Sequence, residues 1–207
     1  MDKKLYSSFA HFNANLLCAI DIETTGRMPG YHEILQIAVL PLDSKIEPLE
    51  EVLPFYMQIA PEHPERAEKE AININHLNVS EIARNSLDPW RVADLFDEWF
   101  QKLHLPLKKR LVPLAHNWVF EAGFLKAWLG LESFGQFFHI HPRDTMQMAI
   151  IANDRAYFRG DKMPYNSVSL TALCKYLNIE NYQAHDALSD AIACAKVYQA
   201  LLRIPLF

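Results

Sequence analysis

The sequence is short of several things, and each shortage removes a class of protein. It has three cysteines, Cys18, Cys174 and Cys194, and no CxxC pair. An odd number of thiols in apolar surroundings reads as buried, reduced cysteine, not as a disulfide framework or a zinc site. No apolar run approaches the length of a membrane span, and the basic start MDKKLYSSFAHF lacks the apolar stretch of a signal peptide behind it. A cytoplasmic chain with no membrane contact is expected. Positive charge is also scarce: 20 Lys and Arg face 25 Asp and Glu, a formal charge of −5. A protein that grips long nucleic acid mainly through its backbone carries the opposite sign. A metal-dependent enzyme is not excluded, because clustered carboxylates that hold cations make the bare protein look acidic. There are no repeats, no low-complexity segment and no long linker.

Half of the residues are hydrophobic, which suits one compact domain over residues 1–207 with a sizeable core. Residues 15–22 form a short apolar run, and turn formers follow from Gly26 to Gly30. That pattern predicts a buried strand. Residues 34–42 and 54–60 predict two more, joined in an antiparallel meander. Residues 65–72 read as helical. Residues 89–103 read better: Asp88 is placed to cap, Pro89 suits the first position, and Val92, Leu95, Phe96, Trp99 and Phe100 share a face. Strands and helices then alternate. A strand is expected at 111–115, a helix at 119–129 stopped by Gly130, and a strand at 137–140. Helices follow at 145–157, 169–177 and 186–202. Three strands followed by alternation predict an α/β fold, a mixed sheet flanked by helices.

Three local patterns carry chemistry. Asp21 and Glu23 are two apart on the first strand, so they share a face. Adjacent carboxylates raise each other's proton affinity, and a shared cation relieves them. In Ala115-His116-Asn117-Trp118-Val119-Phe120-Glu121, a strand gives way to a helix that Asn117 is placed to cap, with Glu121 near the positive end of its dipole. In His185-Asp186-Ala187-Leu188-Ser189-Asp190, the histidine precedes a helix and folds back beside Asp190, while Asp186 suits the helix terminus. Each pattern alone is common, and a solvated pair or a plain helix start is then the better reading.

Together and in this order they are specific. DIETTG at 21–26, HNWVFEAGFL at 116–125 and HDALSD at 185–190 resemble the motifs of the DEDDh (DnaQ-like) exonuclease family. Its members include polymerase proofreading subunits, RNase T and oligoribonuclease. Smaller echoes are Asn75-His76-Leu77 and Arg143-Asp144-Thr145. The resemblance implies an RNase H-like fold with a five-stranded mixed sheet. It implies a 3′→5′ exonuclease that shortens single-stranded nucleic acid to nucleoside 5′-monophosphates with two divalent cations. All-oxygen ligation favours Mg²⁺ or Mn²⁺ over zinc. Asp21 would bridge the two ions, Glu23 and Asp190 would complete the first, and Glu121 would support the second. His185 would be the general base, and activity should climb on the alkaline side of neutrality. The family has aspartate where this chain has Glu121, which puts the second ion's geometry at stake. A catalytically weak or inactive nucleic-acid-binding module on the same fold is the alternative. DIETTG is closer to the proofreading enzymes, which leans towards DNA over RNA.

Substrate contacts follow from the same resemblance. Thr24 and Gly26 would lie near the 3′-terminal nucleotide, with His76 and Asn117 as further contacts. Phe120, Phe124 and Trp128 repeat at helical spacing; Phe120 and Phe124 are assigned to the core, and Trp118 remains a candidate for stacking on a base. Arg155, Tyr157, Phe158, Arg159, Lys162 and Tyr165 mix cations with aromatics, as a loop holding a single strand would, and Arg159 and Lys162 are its binding candidates. Lys108-Lys109-Arg110 sit at the far end of the strand that leads to Asn117. A solvated strand entry is the simpler reading; in a homodimer, as in enzymes similar to RNase T, they would lie over the partner's site. The tail at 203–207 resembles Leu-Phe-ending peptides that dock on sliding clamps, although an apolar tail packed on its own domain is the simpler reading. A polymerase-binding extension finds no room, so a stand-alone enzyme is expected.

Overall fold

The computed structural model describes residues 13–181 and 183–204. The basic start and residues 205–207 of the tail lie outside them. Five strands form one sheet in the order β3-β2-β1-β4-β5: β1 (Leu16–Thr24), β2 (Ile34–Pro41), β3 (Phe55–Gln58), β4 (Leu111–Ala115) and β5 (Arg143–Asp144). The β1–β2 and β2–β3 pairs are antiparallel, and β1–β4 and β4–β5 are parallel. The helices are α1 (Lys69–Asn75), α2 (Val79–Asn85), α3 (Pro89–Lys102), α4 (Trp118–Phe137), α5 (Thr145–Arg159), α6 (Leu170–Tyr176) and α7 (Ala187–Arg203). This is the expected five-stranded mixed sheet flanked by helices, the architecture of the RNase H-like fold.

β1 is central, and its apolar run is explained by burial on both faces. Leu16, Cys18, Ile20 and Ile22 pack with Val92 and Phe96 of α3 and Phe124 and Leu125 of α4. Leu17 and Ala19 pack on the other side against Ala187, Ala191 and Ala195 of α7. Those three alanines repeat every four residues and let α7 lie close to the sheet. The three cysteines are buried and free, and burial pushes the thiols of Cys18 and Cys194 well up. Among the described residues no helix is long and apolar enough to cross a membrane.

Several boundaries differ from the sequence reading. The fifth strand is at Arg143–Asp144, not at 137–140. Phe137 and Phe138 turn inward against Phe96, with ring centroids 5.0 and 5.9 Å away, and Phe138 makes only an isolated bridge to Leu111. Aromatic burial therefore wins over strand pairing until the chain has passed Pro142. Gly130 breaks the helix at φ 76°, as expected, but helical structure resumes as far as Phe137. The helix expected at 65–72 splits into a 3₁₀ turn, Pro64–Arg66, and α1. Asp88 stands at the N-cap of α3, yet its side chain makes no capping hydrogen bond.

Candidate active site

The carboxylates meet because β1 ends, and α4 and α7 begin, at the same end of the sheet. Asp21 and Glu23 lie near the end of β1 on the face that meets α7, both half-buried. A register shift between Glu23 and Thr24 marks the end of regular pairing, as bulges often do beside functional sites. Beyond it, Thr24 Oγ1 donates to the carbonyl of Gly26 at 2.6 Å. Gly26 answers a packing need: a Cβ there would meet the His32 ring at 2.6 Å. His32 is itself held, because its Nδ1 accepts from the Met28 N–H at 3.0 Å.

α7 brings the second group. Asp186 caps it, accepting from the Ser189 N–H at 3.0 Å, which is the terminal role expected of it. Asp190 sits buried in the first turn. Its Oδ2 accepts from the His185 N–H at 3.1 Å and its Oδ1 from Asn181 Nδ2 at 2.6 Å. His185 has φ 71°, a left-handed backbone that turns the chain back beside Asp190. Glu23, His185 and Asp190 consequently hold ligand atoms within 4.8 Å of one another. A ring of bonds fixes α7 against the sheet. Buried Gln36 of β2 accepts from the Ala187 N–H at 2.9 Å and donates to Tyr56 Oη at 2.9 Å. Tyr56 Oη in turn donates to Asp186.

α4 brings Glu121, buried in its first turn. Asn117 does not cap this helix with its side chain; it is left-handed at φ 79° and makes no such bond. The cap is Asp144. Its two oxygens accept from the N–H groups of Asn117 and Trp118 at 3.3 and 2.8 Å, and Oδ1 also accepts from Gln147 at the start of α5 at 3.1 Å. One carboxylate from β5 therefore starts two helices. Glu121 Oε2 has no hydrogen-bond partner although it is buried.

Such a site is costly when bare. Burial lifts the Asp21 carboxyl well above its usual range, and Asp190, Glu23, Glu121 and Asp186 add to the rise. Glu23 is pushed up to about 8, by burial first and then by Asp190, while a hydrogen bond from Asn75 opposes the shift. Burial likewise lifts Glu121, and Asp144 adds to it. Buried, mutually repelling oxygens with one orphaned atom fit divalent cations, which neutralise them and supply the missing partner. Asp21, Glu23, Glu121 and Asp190 are the oxygens that would hold them.

The remaining predicted residues fall unevenly. His76 is exposed at the left-handed end of α1. Its neighbour Asn75, which the sequence reading passed over, is buried and donates to the Thr24 carbonyl at 3.2 Å. The signal was present in the Asn75-His76-Leu77 echo. Trp118 is 9% exposed, stacks on Phe134 and belongs to the core cluster. Phe124 is core as expected, and Phe120 packs beside it. Arg159 and Lys162 are exposed, together with Tyr157 and Phe158. Among the described residues neither cation pairs with a site carboxylate. Tyr165 leaves that cluster for the core, where the Asn153 side chain holds its backbone N–H and carbonyl at 3.0 and 2.8 Å.

Comparison with known proteins agrees with this geometry. Among solved structures, exonuclease I of E. coli in complex with a dT13 oligonucleotide is 20% identical, with a TM-score of 0.66 over 89% of this chain and 40% of that one. A moderately thermophilic exonuclease I from Methylocaldum szegediense is 21% identical, with a TM-score of 0.70 over 93% and 41%. Cell-death related nuclease 4 is 16% identical, with a TM-score of 0.70 over 92% and 64%. The chain spans about two-fifths of the length of the exonuclease I chains. No curated protein sequence matches. The RNase T family model, described as exonuclease, matches residues 18–198, and the chain therefore belongs to the RNase T exonuclease family.

Proposed function

We propose that the protein is a metal-dependent 3′→5′ exonuclease that removes nucleoside 5′-monophosphates from a single strand, DNA in preference to RNA. One observation carries the reading: carboxylates from β1, α4 and α7 converge with His185 at the end of the central strand, in the order of the family's motifs. Two cations held by Asp21, Glu23, Glu121 and Asp190 would supply charge relief on the phosphate and an acidified water. The protein's own groups do the rest. A ring nitrogen of His185 takes the proton of the attacking water, and its left-handed backbone together with the bond to Asp190 aims the ring. Thr24 and Gly26, in the turn that His32 and Asn75 hold, position the 3′-terminal nucleotide. Exonuclease I, a relative in fold, has been solved with a single-stranded oligonucleotide, which supports the same class of substrate here.

Glu121 favours a second reading. It stands where the family has aspartate, and its longer arm changes the reach to a second cation. Digestion of a 5′-labelled strand, DNA and RNA side by side with Mg²⁺ or Mn²⁺, decides between the two. A ladder shortening from the 3′ end, absent in Asp21→Ala, is the expected result. No digestion by the wild type, with activity gained in Glu121→Asp, would establish the binding module instead.

A further inference from the structure

On the face of the sheet that carries α4 lies a cavity of about 280 Å³ that the mechanism does not use. Its floor is apolar: Ile34, Ile59 and Phe124 are each no more than 5% exposed. Its rim is aromatic and basic. Tyr31 is half exposed, the Arg66 guanidinium lies over its ring at 5.0 Å, and Trp128 closes the opposite wall from α4. Glu33 also lines it, but both its carboxylate oxygens are occupied by the N–H groups of Glu62 and His63 at 2.9 and 2.8 Å. Arg66 brings the rim's guanidinium, set against the carboxylates of Glu33 and of exposed Glu62, which line the same cavity.

This cavity is structurally tied to the catalytic turn. Ile34 stands opposite Thr24 in the β1–β2 register. Thr25 and Glu33 exchange two hydrogen bonds, each 2.9 Å: the Thr25 N–H to the Glu33 carbonyl, and the Glu33 N–H to Thr25 Oγ1. The loop between them is pressed onto α4, where a Cβ on Gly123 would meet Pro29 at 2.8 Å. The volume lies just below the usual range of ligand pockets, roughly 300–1,000 Å³, and admits one flat ring with its attachments, not an oligomer. A greasy floor, aromatic walls and one guanidinium at the rim suit a base and its phosphate.

We propose that this cavity is a second nucleobase subsite, which takes the base of a nucleotide neighbouring the one at Thr24 and Gly26 while Arg66 meets its phosphate. The inference rests on the exonuclease reading. The same chemistry could come from a free mononucleotide, so the test needs both ligands. Binding is measured in the Asp21→Ala background, with a labelled single-stranded hexanucleotide and with thymidine 5′-monophosphate. Arg66→Ala and Ala127→Trp, the latter filling the cavity from the exposed face of α4, should each weaken hexanucleotide binding about tenfold. Arg66→Ala should also lower the salt slope by about one contact. Lys126→Trp, which adds the same ring one residue away and outside the cavity, should change nothing. Mononucleotide binding should be equal in all. Equal hexanucleotide affinity across the set overturns the proposal, and so does a parallel loss of mononucleotide binding, which would make the cavity a free-nucleotide site. If Ala127→Trp fails to fold, Tyr31→Ala replaces it with the same expected loss. Failure of the exonuclease reading shows separately, as no 3′ shortening by the chain with Asp21 intact.

Discussion

At the scale of single residues, the site is defined by how each carboxylate is held rather than by its presence. Asp190 has a donor on each oxygen, while Glu121 has an oxygen with none. Asn75 is the one hydrogen-bonding side chain that lowers the proton affinity of Glu23, and it also ties α1 to the Thr24 carbonyl. Asn75→Leu should therefore raise the proton affinity of Glu23 further. Calorimetric titration with Mn²⁺ at neutral pH should then show affinity about tenfold weaker, since the ion must compete with a proton at Glu23. His76→Ala, next door but exposed, should leave the same titration unchanged. Equal behaviour of the two variants would remove Asn75 from the site. Sequence reading put His76 forward and passed over Asn75 because both are polar and adjacent, and only the end of a seven-residue helix decides which one turns inward.

At the scale of elements, the start of α7 has to be fixed within a fraction of an ångström, because His185 and Asp190 flank it. The ring of Gln36, Tyr56 and Asp186 does this across β2, β3 and α7. Tyr56→Phe removes one link and leaves Gln36 half-used in a buried setting, which costs about 1–2 kcal/mol. We expect a modest loss of thermal stability and a fall of roughly tenfold in kcat with KM little changed, since the base moves and the substrate contacts do not. A rise in KM alongside the fall in kcat would point to a role at the substrate instead. Asp144→Asn is the matching test for α4: the amide keeps an acceptor but loses the charge that caps two helices, so melting should show a loss of about 1 kcal/mol. Neither device was legible in the sequence. Gln36 and Ala187 are 151 residues apart, and nothing local in either marks the pairing. Asp144 appeared only as an echo of a family motif. The elements themselves were legible where periodicity was long, as in α3 and α7. They were misplaced where burial overrode pairing, as at Phe137 and Phe138.

At the scale of the whole molecule, the fold was readable because three motifs in fixed order bind one topology, while the bare charge balance was misleading in the way expected of a metal site. The acidic cluster makes stability depend on pH and cation together. Glu23 has a folded pKa of about 8, above its unfolded value, and Asp21 and Glu121 are raised as well. In the window between the ordinary carboxylate range and about pH 8 the native state thus binds more protons than the unfolded chain. Stability must fall as pH rises through that window, the reverse of a paired carboxylate. The metal-free protein should accordingly melt higher at about pH 5 than at about pH 8. Mg²⁺ or Mn²⁺ should restore stability at the higher pH and do little at the lower, where protons already occupy the oxygens. Glu23→Gln removes one buried charge, so it should raise the metal-free melting temperature by roughly 2–4 °C at about pH 8 and leave it unchanged at about pH 5. It should also reduce the gain from added cation. A metal-free melting temperature that climbs from about pH 5 to about pH 8 would mean that these carboxylates are already compensated by the protein. The case for cations at the end of β1 would then lose its physical basis, whatever the fold resembles.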